Sequence, residues 1–492
     1  MTLSSRFNTS WKPLRDSSIS LVDQLVEHLG SRIRNHGLRS GMRLPSVRSM
    51  ADEAGLSRFT VVQAYDRLVA QGIIQSRRGS GFYVSPPARA SIPASAPSPN
   101  LAPDAAFDTV FLLRSMFRED ALPHMPGSAG LLPASWLDHE MVAAAVRTVG
   151  RSIGRSLVGY GVPKGLKALR QQIAFSLQAQ DVPAHPDHHL MTVAGVTHGL
   201  DLISRTFIRP GDTVLVEDPG WFLIFGRLTA LGAKVIGVPR RADGPDTQAL
   251  ADLAETHRPK LFITNTAVHN PTGHTLSAGV AYEILRIAER FNFLLVEDDT
   301  YADFHPAAPV RLAALDRLNR VLLVGGYSKT LAASLRVGYV AGSPALIDKL
   351  VDTKLLGALT TPELGEQVLY RILAEGHYRR HIERLRTRVD HARDQCIKML
   401  LQAGCSVPHE PHAGMFVWAD CGMDTETLAR KAAATGVLFA PGVLFSPIQS
   451  PSSRFRLAVS MVDDPQGWQT LAALLKQVRT TQPIGNFRET KQ

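Results

Sequence analysis

The chain has 492 residues, of which 45% are hydrophobic and 20% charged, a composition typical of a globular protein with several domains. No apolar run approaches the roughly 18–20 residues of a transmembrane helix, and the N-terminus lacks the apolar core of a signal peptide. The three cysteines have no metal-type spacing, so we expect a reducing cytoplasm, no disulfide framework and no metal site.

The positive charge is concentrated near the N-terminus. Residues 1–90 carry 13 Lys and Arg against 6 Asp and Glu, a net charge of +7 out of +10 for the whole chain. A local basic excess fits a polyanionic partner, although it also serves solubility.

The N-terminal residues predict a small helical module. Apolar residues four apart indicate an amphipathic helix over residues 20–36. Ser46 predicts the N-cap of a short second helix, and Ser57 predicts that of a third. Two short strands around a basic turn follow within residues 73–84. This order of elements predicts a winged helix-turn-helix, whose third helix enters the DNA major groove.

The module resembles the GntR superfamily of bacterial regulators in two stretches, LPSVRSMADEAGLSRFTVVQAYDRLVAQGII and RRGSGFYV. Arg58 stands at a helix start, where an arginine can bind a guanine edge through two hydrogen bonds. Taken singly, each arginine could equally be a solvated surface charge. The resemblance implies contacts with double-stranded operator DNA from the helix residues Arg48, Ser57, Arg58 and Thr60 and from the wing residues Arg78 and Gly79.

Residues 85–106 predict a linker. Seventeen of these 22 residues are Pro, Ala or Ser, a composition that cannot build a core. Such a segment is a semi-extended spacer of about 3 Å per residue. We therefore expect a DNA-binding domain over residues 1–84, a linker over residues 85–106 and a large domain over residues 107–492.

In the large domain, helical patterns alternate with short β-rich apolar runs. Five such runs begin at Asp212, Lys234, Lys260, Phe293 and Arg320. They suit buried strands of a mainly parallel sheet with crossover helices, so the expected fold class is α/β. Ligand residues in such folds lie at strand ends and in the loops that follow them.

A lysine and an arginine seven residues apart lie in the stretch GGYSKTLAASLRVGY. The amine of Lys329 can form a Schiff base, and the guanidinium of Arg336 can hold two phosphate oxygens. The pair predicts a site for an aldehyde cofactor that carries a phosphate.

The order of motifs in this domain resembles the fold-type I, aspartate-aminotransferase-like family of pyridoxal-phosphate (PLP) proteins. The matching stretches are, in order, YGVPKGLKALR, GVTHGLDLI, VEDPGWF, HNPTG, VEDDTYADF, GGYSKTLAASLRVGY, GMFVW and FRLAVS. The resemblance implies a Schiff base between PLP and Lys329, together with a homodimer in which Tyr160 reaches the phosphate of the neighbouring subunit. It also implies phosphate contacts from Val196, Thr197, Ser328 and Arg336.

The same resemblance implies contacts with the cofactor ring. Trp221 stacks on the ring in place of the usual tyrosine, and Asn270 and Tyr301 reach its phenolic oxygen. Asp298 pairs with the protonated ring nitrogen, with the adjacent Asp299 as the alternative. Taken alone, the tryptophan could be a core residue, and the carboxylates could be solvated loop groups.

Two further positions bear on chemistry. Arg456 in FRLAVS matches the arginine that binds a substrate α-carboxylate, so an amino acid or similar carboxylate can enter. A structural salt bridge is the alternative interpretation of that arginine. Gly326 stands where the family often has Ser or Thr, so one hydroxyl that binds phosphate is missing.

A GntR-type winged helix, a linker and an aminotransferase-like domain in one chain resemble the MocR subfamily of GntR regulators. The resemblance implies a PLP-dependent regulator that senses PLP, an amino acid or an amine through aldimine chemistry. It implies a domain-swapped homodimer in the bacterial cytoplasm, associated with the nucleoid when bound to DNA. The alternative is an active aminotransferase with an accessory DNA-binding domain; we expect regulation to be the primary role and leave transaminase activity open.

Overall fold

The computed structural model describes residues 11–86 and 130–481, apart from residues 18, 35–37, 39, 78, 153 and 155–157. For residues 478–481 only the backbone is described. The chain divides into two compact units, residues 1–104 and residues 105–492. The wing residue Arg78 and most of the expected linker lie outside the described residues.

The described part of the N-terminal unit has the order of elements predicted from the sequence. These elements are α1 (Leu21–Arg34), α2 (Val47–Ala54), α3 (Arg58–Ala70), β1 (Ile74–Arg77) and β2 (Gly81–Val84). The hydroxyl groups of Ser46 and Ser57 cap α2 and α3 by accepting hydrogen bonds from backbone N–H groups. The two strands pair antiparallel as a hairpin, which confirms the winged helix-turn-helix.

An apolar core holds this unit together. The hydroxyl group of Tyr65 donates a hydrogen bond of 3.0 Å to the carbonyl oxygen of Pro45, so its polar atom is satisfied inside the core. The predicted inward residues of α3 are fully buried, and they pack with residues of α1, namely Val61, Ala64, Tyr65 and Leu68 with Leu25 and Leu29.

The C-terminal unit alternates strands and helices. Its first elements are α4 (His139–Ser152), α5 (Lys167–Gln178), β3 (Leu190–Val193), α6 (Val196–Phe207), β4 (Thr213–Asp218), α7 (Phe222–Ala230), β5 (Lys234–Arg241), β6 (Gly244–Pro245) and α8 (Thr247–His257). They continue with β7 (Leu261–Thr264), α9 (Ala278–Phe291), β8 (Leu294–Asp298), α10 (Leu312–Leu315), β9 (Val321–Gly326) and β10 (Gly338–Ala341).

The remaining elements form the C-terminal part of this unit. They are α11 (Pro344–Ala358), α12 (Glu363–Ala374), α13 (His377–Gln402), β11 (Phe416–Asp420), α14 (Thr425–Ala434), β12 (Ala440–Pro441), β13 (Arg454–Ala458) and α15 (Pro465–Thr481). A smaller antiparallel sheet has the order β11-β13-β12. Among the described helices, none combines the length and the apolar character needed to cross a membrane.

In the described part of the chain, the main sheet has eight strands in the order β3-β10-β9-β8-β7-β4-β5-β6. Strands β9, β8, β7, β4 and β5 are parallel, whereas β10 and β6 run antiparallel to their neighbours. The central strands are almost entirely buried, which suits a sheet covered on both faces. The α/β class and the mainly parallel sheet are thereby confirmed.

Candidate cofactor site and DNA-binding surface

One pocket lies beyond the carboxyl ends of the parallel strands, the edge at which such sheets bind ligands. It is lined by Val196, Thr197, Trp221, Asp298, Thr300, Tyr301, Gly326, Ser328, Lys329 and Arg336. Eight of the ten predicted cofactor residues therefore meet here. A ninth, Asn270, adjoins the pocket, since its Nδ2 atom lies 3.4 Å from the hydroxyl of Tyr301.

One end of this pocket is formed by the start of α6. No side chain caps the helix, and Gly195 precedes it with a φ of 80°. A Cβ atom on Gly195 would lie 2.7 Å from Nη2 of Arg336, so only glycine leaves the guanidinium in place. The same Nη2 donates 2.8 Å to the carbonyl oxygen of Ala194. Uncapped helix N–H groups beside a guanidinium fit a phosphate group.

Lys329 follows β9 and extends into the pocket. Its amine donates a hydrogen bond of 2.5 Å to the carbonyl oxygen of Gly130. Burial, together with the positive charges of Arg456 and Arg336, lowers the pKa of the amine to about 8. Roughly a tenth of the amine is therefore neutral at pH 7, and the neutral form is the nucleophile that attacks an aldehyde.

Asp298 is the last residue of β8, lines the pocket and is buried. One of its carboxylate oxygens accepts hydrogen bonds from the backbone N–H (3.0 Å) and the hydroxyl group of Thr300. Burial raises the pKa of this carboxyl group, so a cationic partner such as a protonated pyridine would stabilise its ionised form.

The neighbouring Asp299 is engaged elsewhere. Nε of Arg311 lies 3.1 Å from both of its carboxylate oxygens, and both side chains are buried. This carboxylate already has a cationic partner, and Asp298 is the one of the two that lines the pocket.

Arg456 lies on β13 and is buried beside the pocket. Its Nη1 atom donates 2.9 Å to Oδ1 of Asn270, and its guanidinium carbon lies 4.2 Å from the ring centroid of Phe416. Burial lowers its pKa to about 10, so the group stays charged at neutral pH. A guanidinium held by an amide and an aromatic face presents a rigid fork to a carboxylate.

Sequence reasoning missed a buried polar cluster behind the pocket, centred on Glu217 at the end of β4. The carboxylate forms an ion pair with Arg240 and lies 3.2 Å from Nε2 of His269. It also accepts hydrogen bonds from the hydroxyl of Thr264 (2.9 Å) and the backbone N–H of Asn265 (2.8 Å). A glutamate at the end of an apolar parallel strand is the signal that could have found it.

Asn265 connects this cluster to the pocket by hydrogen bonds. Its Nδ2 donates 2.6 Å to the carbonyl oxygen of Asp298, and its Oδ1 accepts 2.8 Å from the backbone N–H of Asn270. The ends of β4, β7 and β8 are thereby joined by buried hydrogen bonds. The cluster therefore holds the backbone of two predicted cofactor residues in fixed positions.

Tyr160 lies outside the pocket of its own chain and is 83% exposed. The segment that follows it is anchored by two buried charged groups. Nζ of Lys354 donates 2.8 Å to the carbonyl oxygen of Pro163, and a carboxylate oxygen of Glu366 accepts 2.6 Å from the N–H of Leu166. The tyrosine is thus an exposed side chain on a firmly held loop.

The predicted DNA-contacting residues that the structure describes lie on α2, at the start of α3 and at the hairpin turn. Arg48 of α2 and Arg58, the first residue of α3, are exposed. The hydroxyl groups of Ser57 and Thr60 lie 2.8 Å apart and both serve the start of α3. Gly79 is exposed at the hairpin turn with a φ of 73°.

The hairpin itself is braced by an aromatic residue. The guanidinium of Arg77 lies 4.5 Å above the ring of Tyr83, whose hydroxyl is 2.6 Å from that of Ser80. An arginine held over a ring keeps its charge at the surface with less rotamer freedom to lose on binding. The described hairpin therefore adds a positioned cation to those of α2 and α3.

Comparison with family models agrees with this two-part organisation. Residues 21–84 match the family described as bacterial regulatory proteins, gntR family. Residues 130–473, more than half of the chain, match the family described as aminotransferase class I and II.

Two regulators are similar to most of the chain, and a solved aminotransferase is similar to a shorter part of it. An uncharacterized HTH-type transcriptional regulator of Bacillus subtilis (strain 168), YisV, is 26% identical over 85% of this chain and 86% of its own length. The probable rhizopine catabolism regulatory protein MocR of Rhizobium meliloti is 29% identical over 87% of each chain. The multiple substrate aminotransferase of Thermococcus profundus superposes with a TM-score of 0.69 at 26% identity, covering 77% of this chain and 96% of its own.

This chain thus combines a unit of the gntR family with a unit of aminotransferase class I and II, and it is similar to these two regulators over 86% and 87% of their lengths. The chain belongs to the MocR-type, GntR-family transcriptional regulators, whose aminotransferase class I and II domain has pyridoxal phosphate as its cofactor.

Proposed function

We propose that this regulator binds operator DNA through its winged helix-turn-helix and senses PLP, an amino acid or an amine in its aminotransferase-like domain. The observation that carries the proposal is the pocket beyond the parallel strands, where Lys329, Asp298 and Arg336 meet. We assign DNA binding to residues 1–84, linkage to residues 85–106 and sensing to residues 107–492. The protein acts in the cytoplasm, at the nucleoid when it is bound to DNA.

The residues of the pocket fit PLP at each end. The N–H groups of Val196 and Thr197, the hydroxyl of Ser328 and the guanidinium of Arg336 would hold the phosphate. Trp221 would stack on the ring, Asn270 and Tyr301 would donate to its phenolic oxygen, and Asp298 would face its nitrogen. Bound PLP supplies an aldehyde that condenses reversibly with primary amines. The lowered pKa of Lys329 prepares its amine for that condensation.

The effector is proposed to be an amine that displaces Lys329, with a carboxylate favoured by Arg456. Asn270 holds the guanidinium of Arg456 beside the pocket. From there the guanidinium can donate two hydrogen bonds to a carboxylate. If an effector amine condensed with bound PLP in place of Lys329, the Lys329 amine would be free in the pocket, where it could accept or donate a proton. An amino acid is therefore the proposed effector class, because its amine could replace that of Lys329 and its carboxylate could bind Arg456.

A homodimer is supported by the surface around Tyr160. Gly161 packs against the segment after α11, since a Cβ atom on it would lie 3.4 Å from the carbonyl oxygen of Thr361. Exposed apolar side chains lie near Gly161 in the sequence and around the junction of α11 and α12, namely Val158, Tyr160, Val162, Leu356, Leu359 and Leu364. Contiguous exposed apolar groups favour burial against a second copy, which would bring Tyr160 to the phosphate of the neighbouring subunit.

The test of sensing uses operator duplexes selected by the full-length protein from a random library. Dissociation constants are measured with and without PLP and with a panel of amino acids and amines. We expect the right amine to change operator affinity in the parent protein, and we expect no change in Lys329→Ala. By linkage, operator DNA must then change the affinity for that amine by the same factor. Identical operator affinity and identical DNA bending under all these conditions would contradict the proposal.

An active aminotransferase is the second candidate. It is favoured by one observation, the presence of Arg456 hydrogen-bonded to Asn270 in addition to the groups that hold the cofactor. Repeated turnover of an amino acid with a 2-oxo acid would support this function. Conversion of no more than one equivalent of amino acid per site would support sensing alone.

A further inference from the structure

Two apolar side chains of α3 face solvent. Phe59 is 71% exposed and Val62 is 40% exposed, and at a spacing of three residues they lie on one face of the helix. The opposite face is fully buried by Val61, Ala64, Tyr65 and Leu68, so the two exposed residues contribute nothing to the core of the unit. Exposed apolar area at this position is unfavourable unless it is covered by a partner.

The neighbours of this pair along α3 are cationic or neutral. Arg58 precedes Phe59, Gln63 follows Val62, and both are exposed. Within α3 the first acidic residue is Asp66, two turns after Phe59. A helix start also carries partial positive charge from its N–H groups. An apolar patch with positive charge beside it suits a partner that presents an apolar group among negative charges.

The DNA major groove offers one apolar feature, the 5-methyl group of thymine. In a helix-turn-helix, the N-terminal residues of the third helix approach the base edges of that groove. We propose that Phe59 and Val62 read thymine by packing against 5-methyl groups, beside the base contact of Arg58. This inference rests on the proposed DNA-binding function and specifies which base property the helix selects.

The experiment removes single methyl groups from the DNA. Duplexes are selected by the full-length protein, and each thymine of the selected sequence is replaced in turn by uracil, which differs only in lacking the 5-methyl group. We expect the Kd of the parent to rise about fourfold at each contacted thymine, as for exposure of one methylene-sized group. Changes at other thymines should leave the Kd unchanged.

Protein variants then identify the reader of each methyl group. Phe59→Ala should bind the thymine duplex more weakly, and it should show no further loss when uracil replaces the thymine that Phe59 contacts. Val62→Ala should lose sensitivity at a different thymine. Leu14→Ala is the matched control, because Leu14 is 72% exposed but lies outside α3. This control should keep both uracil effects, and thermal denaturation should show all variants folded.

The outcomes separate this inference from the function on which it rests. A parent that tolerates uracil everywhere, or a Phe59→Ala variant that keeps every uracil effect, overturns the reading of thymine by Phe59. If Arg58→Ala still weakens binding in that case, DNA recognition stands and this inference alone fails. If the parent selects no duplex, both the proposed function and this inference fail.

Discussion

Nη1 of Arg456 lies 2.9 Å from Oδ1 of Asn270, although the two residues are 186 positions apart in the chain. Asn270 also approaches the hydroxyl of Tyr301, so one amide joins the proposed carboxylate site to the proposed cofactor site. A ligand carboxylate that binds Arg456 would therefore act on a group that contacts the cofactor ring. This relationship makes the effector class testable.

Arg456→Lys should separate amino acids from amines. The substitution keeps a positive charge but removes the planar fork, so binding of an α-carboxylate should weaken roughly tenfold, the effect of losing about one charge-assisted hydrogen bond. The matched probe is the amine that results from removing the carboxylate of the same amino acid. Its affinity, measured by spectral titration, should be unchanged, and equal losses for both ligands would contradict the assignment.

Lys329 should carry the cofactor covalently. Reduction with borohydride followed by peptide mass spectrometry should place the adduct on this residue, and Lys329→Ala should remove it. Lys354 is an internal control, since burial also lowers its pKa to about 8, but its amine donates to the carbonyl oxygens of Pro163 and Thr192. An adduct on Lys354, or one that persists in Lys329→Ala, would show that the assignment is wrong.

Gly195→Ala should damage the phosphate end of the pocket selectively. A Cβ atom at this position would meet the guanidinium of Arg336 at 2.7 Å, and φ is 80°. We expect the preference for PLP over pyridoxal, which lacks the phosphate, to fall by roughly tenfold or more, the effect of losing one charge-assisted hydrogen bond.

Gly211→Ala controls for backbone strain in this experiment. Gly211 also has a positive φ, of 90°, but a Cβ atom there would contact nothing within 4 Å. This variant should lose some thermal stability and keep the preference for PLP. A parallel loss of preference in Gly211→Ala would mean that strain, and not the displaced guanidinium, explains the result for Gly195→Ala.

His269 should make the folded protein sensitive to acid. Burial, with the nearby positive charge of Arg240, lowers the pKa of this imidazole from 6.5 to about 4. Between these values the unfolded chain binds a proton that the folded protein does not, so acidification favours unfolding. The free energy of unfolding should fall by up to roughly 3 kcal/mol from this group as pH drops from 6.5 to 4.

The measurement is urea denaturation of the parent and of His269→Gln across this range of pH. The number of protons taken up on unfolding, given by the slope of the unfolding free energy against pH, should be smaller in the variant by about one. Partly buried histidines with a lowered pKa, such as His274, contribute in the same direction, so only the difference between the two proteins reports on His269. Identical slopes for both proteins would contradict the prediction.

Arg58→Ala should relax sequence selection by the winged helix. Loss of a two-hydrogen-bond contact with a guanine edge costs about 1–3 kcal/mol of discrimination at one base pair. Arg67→Ala is the control on the same helix, because Arg67 forms an ion pair with Asp23 near the far end of α3. The Arg67→Ala variant should select the same DNA sequence as the parent. Fluorescence anisotropy with the selected duplex and with duplexes altered at single base pairs measures the affinities.

Local features of this protein were determined by the sequence alone. Ser46 and Ser57 cap their helices because a hydroxyl group reaches N–H groups only three residues ahead, and the spacing of apolar residues defines the buried face of α3. The mainly parallel sheet followed from short β-rich runs that alternate with helices. These features depend on residues that are close together in the chain, so they can be predicted from the sequence.

Tertiary structure decided which distant groups meet. It paired Asp299 with Arg311, which left Asp298 facing the pocket, and it joined Glu217 to His269 across 52 positions of the chain. It also left Phe59 exposed beside a buried face. Adjacent carboxylates look alike in a sequence, because their roles depend on burial and on partners that are brought close only when separate strands assemble into one sheet.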